Sequence, residues 1–521
     1  MDRRAKIVAT LGPATAEAGA IRDLLDAGVD VVRLNLSHGT HDWHRERIRL
    51  VREAAHVARR HVPVMLDLMG PRFRLAPDLA SRTLEAGQVV HLGAPGGGVE
   101  LPVDEPGFLD LLYPSERVLI DQGLVELTVG ERSGDRVAAR VVSGGEIGSR
   151  KGINLPDSDL GFSITDKDRA DVAFAVAERI EYLAASYVGR AADLEALRRA
   201  VGEAGGPMGS PAPIPLIAKL ERGRAVDNLD EIVVAADAVM VARGDLGVEV
   251  PLDQVPVLQK RIIAAGRRLG RPVIVATQML ESMMEQPRPT RAEATDVANA
   301  VFDGANALML SGETASSRHP LAAVETMARI VRAAEDYQHT AYADSVDLHR
   351  SAAPGPHGPN VLGRLDGDES TDVPDMVSAA AVYAARELGA HRLVAFSQSG
   401  ATGRLVAHYR PSTPIVVFTN DRTVARRLQL VWGVRPHLLE ERLEHHDEVV
   451  EVVDRELLAS GLAEPGQLVV VLMGDPIRER RQTNLMRVHR VRTAGEWERA
   501  RRESADRAWG DAPISAEGRR P

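Results

Sequence analysis

Cysteine is absent from the sequence and lysine nearly so. No Cys occurs, and of the 64 basic side chains five are Lys (Lys6, Lys151, Lys167, Lys219 and Lys260) and 59 are Arg. Without Cys there are no disulfides, thiolate metal sites or cysteine nucleophiles. Long apolar runs are missing too, so no membrane span and no membrane partner are expected. A secretory core is not expected either, because Met1–Lys6 is followed by only Ile7-Val-Ala-Thr-Leu11. Excess positive charge is also lacking: the formal net charge of −10 argues against general nucleic-acid binding. These absences point to a cytoplasmic protein. At 521 residues the chain exceeds one core, and two to four domains are expected.

The first third and the middle of the chain alternate β-branched apolar runs with helical patterns, which indicates βαβ units around a parallel sheet. Strands are expected at Lys6–Gly12, Val29–Leu36, Val62–Leu68, Tyr182–Val188, Pro215–Glu221, Ala238–Asp245, Val273–Leu280 and Ala307–Thr314. Eight such strands predict an α/β fold, a (β/α)8 barrel over 1–70 and 164–337. Between them, 71–163 carries short alternating, Gly-rich segments (Val89-Val-His-Leu, Arg117-Val-Leu-Ile-Asp, Val125-Glu-Leu-Thr-Val), which predict a small β-barrel-like lid domain inserted in a barrel loop. Residues 338–372 turn to His, Gly, Pro and Asp and are expected to be a linker. Over 373–493 the αβ alternation resumes and predicts an open-sheet domain. The last stretch, 494–521, is charged, without an apolar stripe, and is expected to fray.

Against so few lysines, Lys219 stands out at the end of an apolar strand, in Ile214-Pro-Leu-Ile-Ala-Lys-Leu-Glu221. Lys is a compact point charge and Arg a planar fork, so the two are not interchangeable. Alone, a Lys-x-Glu pair could simply cap a strand in solvent. The rest of the rim changes that reading, because active sites of this fold lie at the C-terminal strand ends. The second strand ends in Arg33-Leu-Asn-Leu-Ser-His38, the third in Asp67, the sixth in Arg243-Gly-Asp245, the seventh in Thr277-Gln278 and the eighth in Ser311-Gly-Glu-Thr314. Glu221 and Asp245 are two hard oxygen ligands on neighbouring strands, suited to Mg²⁺ or Mn²⁺ completed by waters and a substrate phosphate. Arg33, Lys219 and that metal would surround a transferring phosphoryl group with positive charge. Gly244, beside a helix start, offers backbone N–H groups to a carboxylate, or else forms a simple tight turn.

These residues lie in motifs that resemble pyruvate kinase over about residues 3–493. The motifs are Lys6-Ile-Val-Ala-Thr-Leu-Gly-Pro13, Val32-Arg-Leu-Asn-Leu-Ser-His-Gly39, Lys151-Gly-Ile-Asn-Leu-Pro156, Met240-Val-Ala-Arg-Gly-Asp-Leu-Gly247 and Ala276-Thr-Gln-Met-Leu-Glu-Ser-Met283, with Pro287-Arg-Pro-Thr-Arg-Ala-Glu293 and Leu310-Ser-Gly-Glu-Thr314 after them. The resemblance implies phosphoryl transfer from phosphoenolpyruvate to ADP in glycolysis. It implies that Lys219 stabilises charge on the moving group, that Glu221 and Asp245 hold the metal, and that Gly244, Asp245 and Thr277 hold the substrate carboxylate while Arg33 holds its phosphate. Asn35, Leu36, Ser37, His38, Arg74 and Lys151 would serve the nucleotide, with Thr277 and Ser311 near the enolate carbon. A homotetramer is also implied. Lys167 and Lys260 fall on predicted helices as ordinary surface residues, and Lys6 has no assignable catalytic role.

Two features depart from the family's common form. Asn35, Ser37, Asp67 and Leu68 occupy the monovalent-cation region, but Asp67-Leu-Met-Gly-Pro-Arg72 places the fixed cation of Arg72 where many members carry a carboxylate. At contact distance and an effective dielectric near 20 such a charge is worth about 4 kcal/mol, so K⁺ is not expected to be required. In the C-terminal domain, Ser397-Gln-Ser-Gly-Ala-Thr-Gly403 suits a phosphate at a helix start. Arg478, Arg480 and Arg481 replace a Gly-rich second loop, so a phosphorylated effector and a solvated surface run both fit. Two further readings stay open at this stage: a lyase acting on a pyruvate enolate and a catalytically silent homologue.

Overall fold

The computed structural model describes residues 3–70, 73–105, 107–158, 161–205, 214–348, 373–441, 446–474 and 483–499. Two compact units divide the chain, Met1–Arg350 with Gln429–Trp432 and Ser351–Leu428 with Gly433–Pro521. All eight expected barrel strands form, at Lys6–Thr10, Val31–Asn35, Val64–Asp67, Tyr182–Ala185, Leu216–Leu220, Ala238–Ala242, Val273–Ala276 and Ala307–Leu310. They are parallel and close on themselves, Lys6 pairing with Ala307 at the seam. Both faces of such a sheet are covered, so the strands read as continuous apolar runs. Alternation still sorts their side chains. Val8, Val31, Met65, Ala184, Ile217, Met240, Ile274 and Met309 fill the interior, while Ile7, Val32, Leu66, Val239 and Leu308 face the helices.

The sixth, seventh and eighth strands stop before the polar residues that the sequence reading had appended to them, whereas Arg33, Asp67 and Lys219 stay within theirs. Residues Arg243–Glu249 form a short helix, and Gly312–Ala315 another. Thr277 and Gln278 leave the seventh strand with φ of 67° and 52°. The ladder ends where the chain must turn to present these groups at the rim. One glycine there is sterically obligatory: a Cβ on Gly12 would lie 2.5 Å from the Ala315 carbonyl oxygen. The helices behind the rim are capped by their own sequence. Thr165 and Asp168 exchange N–H bonds at the start of Asp166–Ala177, as do Thr290 and Glu293 at Arg291–Asp303.

Residues 73–158 build the inserted domain, a seven-stranded sheet and a two-stranded ladder around a core that includes Leu75, Leu92, Leu101, Phe108, Val118, Leu127 and Ile147. The barrel's last helix, Pro320–Leu348, runs past the boundary expected at 337, so any linker starts later. Its core contacts include Val324, Met327 and Val331, and Tyr337 packs on Phe302 beyond them. Residues 349–372 of the expected linker lie outside the described residues.

The C-terminal unit carries a five-stranded sheet in the order Val434–Leu438, Ile415–Thr419, Arg392–Phe396, Leu468–Met473 and Leu485–Arg490, the last antiparallel. Both outer strands escaped the sequence reading, as did the helix His446–Ala459. Val434-Arg-Pro-His-Leu438 contains a proline, tolerated at a sheet edge. The tail does not fray at its start. Thr493 and Glu496 form a capping box. Trp497 Nε1 then donates to Asp454 Oδ2 at 2.9 Å, and its ring stacks on His489. Residues 500–521 lie outside the described residues. Among the described residues no helix is long and apolar enough to cross a membrane.

Asp454 is fully buried, and one oxygen accepts from His489, Trp497 and the Arg492 N–H. Asp454→Ala removes the shared acceptor of three donors and is expected to cost about 2–4 kcal/mol in the C-terminal unit. Urea unfolding followed by tryptophan fluorescence measures it, with Trp497→Phe as the reference for the indole's own bond.

Candidate active site

Lys219 Nζ sits 2.7 Å from Glu221 Oε1, 2.7 Å from Ser186 Oγ and 3.2 Å from Asp67 Oδ1, the last an ion pair without hydrogen-bond alignment. Arg33 closes the network from the second strand: its Nε donates to Asp67 Oδ2 at 2.8 Å and Nη2 lies 2.6 Å from the same oxygen. Arg33 Nη1 also donates to Thr10 Oγ1 at 3.0 Å. Strand register explains the meeting, since Arg33 pairs with Met65 and Asn35 with Asp67 on the adjacent strand. Lys219 pairs with Met240 in turn.

All of these charges are largely withdrawn from water, which sets their titration. Burial works to lower the Lys219 pKa, but the carboxylates of Asp67 and Glu221 outweigh it and hold the ammonium above its ordinary range. For Asp67, burial pushes upward and the Lys219 and Arg33 charges prevail, so the group stays below the usual carboxylate range. Glu221 goes the other way. Burial is the main cause of its raised pKa, Lys219 opposes it, and the charge of Asp245 lifts it further.

The fourth strand contributes what sequence reasoning missed. Just beyond its end, Ser186 Oγ accepts from Lys219 and donates to the Leu68 carbonyl at 2.8 Å, and the Tyr187 N–H donates to Glu221 Oε2 at 2.7 Å. Tyr187 holds a φ of 60°, rare for a bulky side chain. The Arg222 guanidinium stacks 5.0 Å over its ring. A strand ending in Ala-Ser-Tyr carries no charge to flag it; only its place between Asp67 and Lys219 in the barrel could.

On the other side of the rim, Thr277 Oγ1 accepts the Gly244 N–H at 2.7 Å and donates to the Ala276 carbonyl at 2.6 Å. The residues expected to grip a carboxylate therefore meet, with the hydroxyl capping the helix Arg243–Glu249. A Cβ on Gly244 would make only van der Waals contact with Thr277, so the close-approach reading of this glycine is not forced by the protein itself. The strained Thr277–Gln278 turn is held by Arg243, which donates to the Thr277 carbonyl at 2.7 Å and pairs with Asp296 at 2.6 Å. Strain of this kind concentrates at functional sites. Glu313 ties the seventh and eighth strand ends, accepting from the N–H groups of Leu280 and Ser311.

Of the nucleotide-side residues, Asn35 Oδ1 accepts the Ser37 N–H at 3.1 Å, Leu36 is buried and His38 is exposed. Arg74 and Lys151 come together on the lid, where Phe73–Arg74 pairs with Gly152–Asn154 and Lys151 Nζ lies 2.6 Å from Asp121 Oδ2. The lid reaches the barrel through Asn154 Nδ2, 3.4 Å from Glu249 Oε1. Arg72 lies outside the described residues, and so do Arg478, Arg480 and Arg481. In the C-terminal unit, Gly400 (φ 76°) precedes the helix Ala401–His408, and Thr402 and Thr483 hydroxyls bond at 2.8 Å.

Among the described residues no cluster of three or more His, Cys, Asp or Glu forms a metal cage. Glu221 and Asp245 fit a divalent ion that keeps its waters: they are hard oxygen donors whose mutual repulsion already raises the Glu221 pKa.

A protein-family comparison matches the family described as "Pyruvate kinase, barrel domain" to residues 2–324 and "Pyruvate kinase, alpha/beta domain" to 375–489. Among curated relatives, the pyruvate kinase of Mycobacterium tuberculosis is 40% identical over 500 residues, covering 94% of this chain and 99% of the relative. That of Geobacillus stearothermophilus is 39% identical, covering 94% and 80%. A crystal structure of a pyruvate kinase from Cryptosporidium parvum superposes with a TM-score of 0.83 at 32% identity, covering 94% and 96%.

Burial pushes the Glu249 carboxyl up to about 7, with Arg222 opposing and Glu221 and Asp245 adding to the rise. A folded pKa above the unfolded value means stability that is complete below about pH 4.3 and is lost as pH rises through about 7. In EDTA-treated protein, the melting temperature of Glu249→Gln relative to wild type should therefore climb between pH 5 and 8. A flat difference would contradict the assignment.

Proposed function

The chain belongs to the pyruvate kinase family and is a phosphotransferase of that family, and from that premise we propose that it transfers the phosphoryl group of phosphoenolpyruvate to ADP, giving pyruvate and ATP. The observation that carries this reading is the buried network of Lys219, Arg33, Asp67 and Glu221 at the barrel mouth. Phosphoryl transfer needs positive charge placed around the moving group before it moves, with little reorganisation during the step. Lys219 and Arg33 provide two such charges, fixed by Thr10, Asp67, Ser186 and Glu221 on or just after four different strands.

Glu221 and Asp245 would hold Mg²⁺ or Mn²⁺, which when bound neutralises charge on substrate and phosphoryl oxygens. Arg33 binds the substrate phosphate, and the Gly244 and Asp245 N–H groups with the Thr277 hydroxyl orient the carboxylate. Lys219 stabilises the phosphoryl group in flight. Asn35 to His38, Arg74 and Lys151 position the nucleotide. Thr277 and Ser311 border the face on which the enolate is protonated. A cytoplasmic, glycolytic homotetramer completes the proposal, together with a phosphorylated effector at Ser397–Gly403.

The same network supports catalysis without K⁺. Both Asp67 oxygens already face Arg33 and Lys219, and Arg72 would add a further cation to the monovalent region.

A coupled assay for pyruvate from phosphoenolpyruvate tests the activity: formation is expected with ADP and none without it, whereas a lyase would not need ADP. Lys219→Met should lose about a hundredfold or more in kcat while substrate binding persists, since its charge acts in the transition state. Loss of binding with kcat preserved would contradict that role. At constant ionic strength, replacing Na⁺ by K⁺ should change kcat/KM by less than about twofold; an activation of tenfold or more, worth about 1.4 kcal/mol, would refute K⁺ independence.

A further inference from the structure

Lys167, expected on sequence to be an ordinary surface residue, is exposed but tied to two partners. From the helix Asp166–Ala177 its Nζ donates to the Leu36 carbonyl at 2.8 Å and pairs with Asp171 Oδ2 at 2.5 Å, one turn further along. Asp171 is buried, and its other oxygen lies 2.7 Å from His41 Nε2, whose ring stacks on Phe174 at 4.5 Å. A third tie comes from the helix His41–Val57. His44 Nε2 lies 2.8 Å from the His38 carbonyl, and burial lowers the His44 pKa, so the neutral ring donates through that nitrogen. The loop after the second barrel strand is thus fastened at Leu36, His38 and His41, always from the helix layer behind it.

Arg33, only three residues before Leu36, is held by different partners, Asp67 and Thr10 inside the barrel. The Leu36 N–H is still in the barrel ladder, donating to the Asp67 carbonyl at 3.0 Å, whereas the Leu36 carbonyl is held from the helix layer by Lys167. We propose that Lys167, braced by Asp171, is a positioning residue for the nucleotide-side loop Asn35–His38, fixing the Leu36 carbonyl and so the backbone that presents Ser37 and His38. This rests on the nucleotide role given to that loop above. It also accounts for a lysine here in a chain that otherwise writes arginine. A single compact ammonium can sit between a carbonyl and a carboxylate that converge on one point, whereas a planar fork distributes its donors. The Lys167 side chain is 43% exposed, so its replacement opens no cavity.

Steady-state kinetics of the full chain test the role with Lys167→Gln and Lys167→Arg. In Lys167→Gln the KM for ADP is expected to rise roughly tenfold, while kcat and the KM for phosphoenolpyruvate stay within about twofold and the melting temperature within about 2 °C. Lys167→Arg, which keeps the charge but spreads its donors over a plane, should recover only part of that loss. An unchanged KM for ADP, an equal rise for both substrates, or a rise matched by a fall in melting temperature overturns the proposal. Wild-type protein that forms no pyruvate from phosphoenolpyruvate and ADP would instead overturn the functional reading. Calorimetric binding of magnesium–ADP to the same proteins then decides the positioning role: about tenfold weaker binding to Lys167→Gln supports it, and equal binding to both proteins overturns it.

Discussion

The barrel mouth is organised around a lysine that has almost no water to solvate it. An ammonium so placed would lose its proton or unfold its surroundings unless opposite charge stood beside it. Asp67 and Glu221 provide that charge, and each then needs a second cation or donor of its own. Arg33 serves Asp67, and the Tyr187 N–H serves Glu221. These groups come from four strands or the turns after them, Lys219 and Glu221 sharing the fifth, so the network exists only when the barrel is closed. Removing a single member would strand a buried charge, a loss of about 3–5 kcal/mol for a paired group.

Much of the turn geometry follows from that arrangement. Tyr187 and Thr277 both adopt left-handed backbone conformations that neither residue favours. In each case the unusual turn aims a group at a partner: the Tyr187 N–H at Glu221, and the Thr277 hydroxyl at the Gly244 N–H. In each case an arginine sits against the turn, Arg222 on the Tyr187 ring and Arg243 on the Thr277 carbonyl. The strain is thus offset locally, by cations whose own charge is spread over a plane and tolerates burial better than an ammonium.

The barrel was legible because eight apolar runs recur with helical patterns between them, and period and composition alone place such strands. The ends were not, because a polar residue after an apolar run reads the same whether it prolongs the strand or turns away from it. Arg243-Gly-Asp245 looked like strand and is helix. Charged members of the site were visible by residue type: Lys219, Glu221, Asp67, Arg33 and Asp245. Of the uncharged ones, Gly244, Thr277 and Ser311 stood beside charged or family motifs and were named, but those of the fourth strand were not. Ser186 and Tyr187 belong to a segment whose chemistry is carried by an Oγ and an N–H. Lys167 was visible but misread, since its partner is a carbonyl more than a hundred residues away, which no helical pattern displays. At the sheet edges of the C-terminal unit, Val434–Leu438 and Leu485–Arg490 place Pro436 and His489 at buried positions and Arg435, Arg487 and Arg490 outside them, so their apolar alternation is weak.

Lysine itself was the clearest signal, and the geometry explains why arginine could not stand in for it at position 219. Three acceptors approach Nζ: Asp67 from the third strand, Ser186 from after the fourth, and Glu221 from two residues further along. Ser186 and Glu221 lie at hydrogen-bond distance and Asp67 adds a close charge, all gathered on the single Nζ of an ammonium. A guanidinium presents its donors in one plane and needs partners at its rim, as Arg33 has in Asp67 and Thr10. The two cations therefore divide the work by shape. Arg33 offers a flat, permanently charged edge suited to a phosphate's paired oxygens. Lys219 offers a point charge, able to follow a group whose position changes along the reaction.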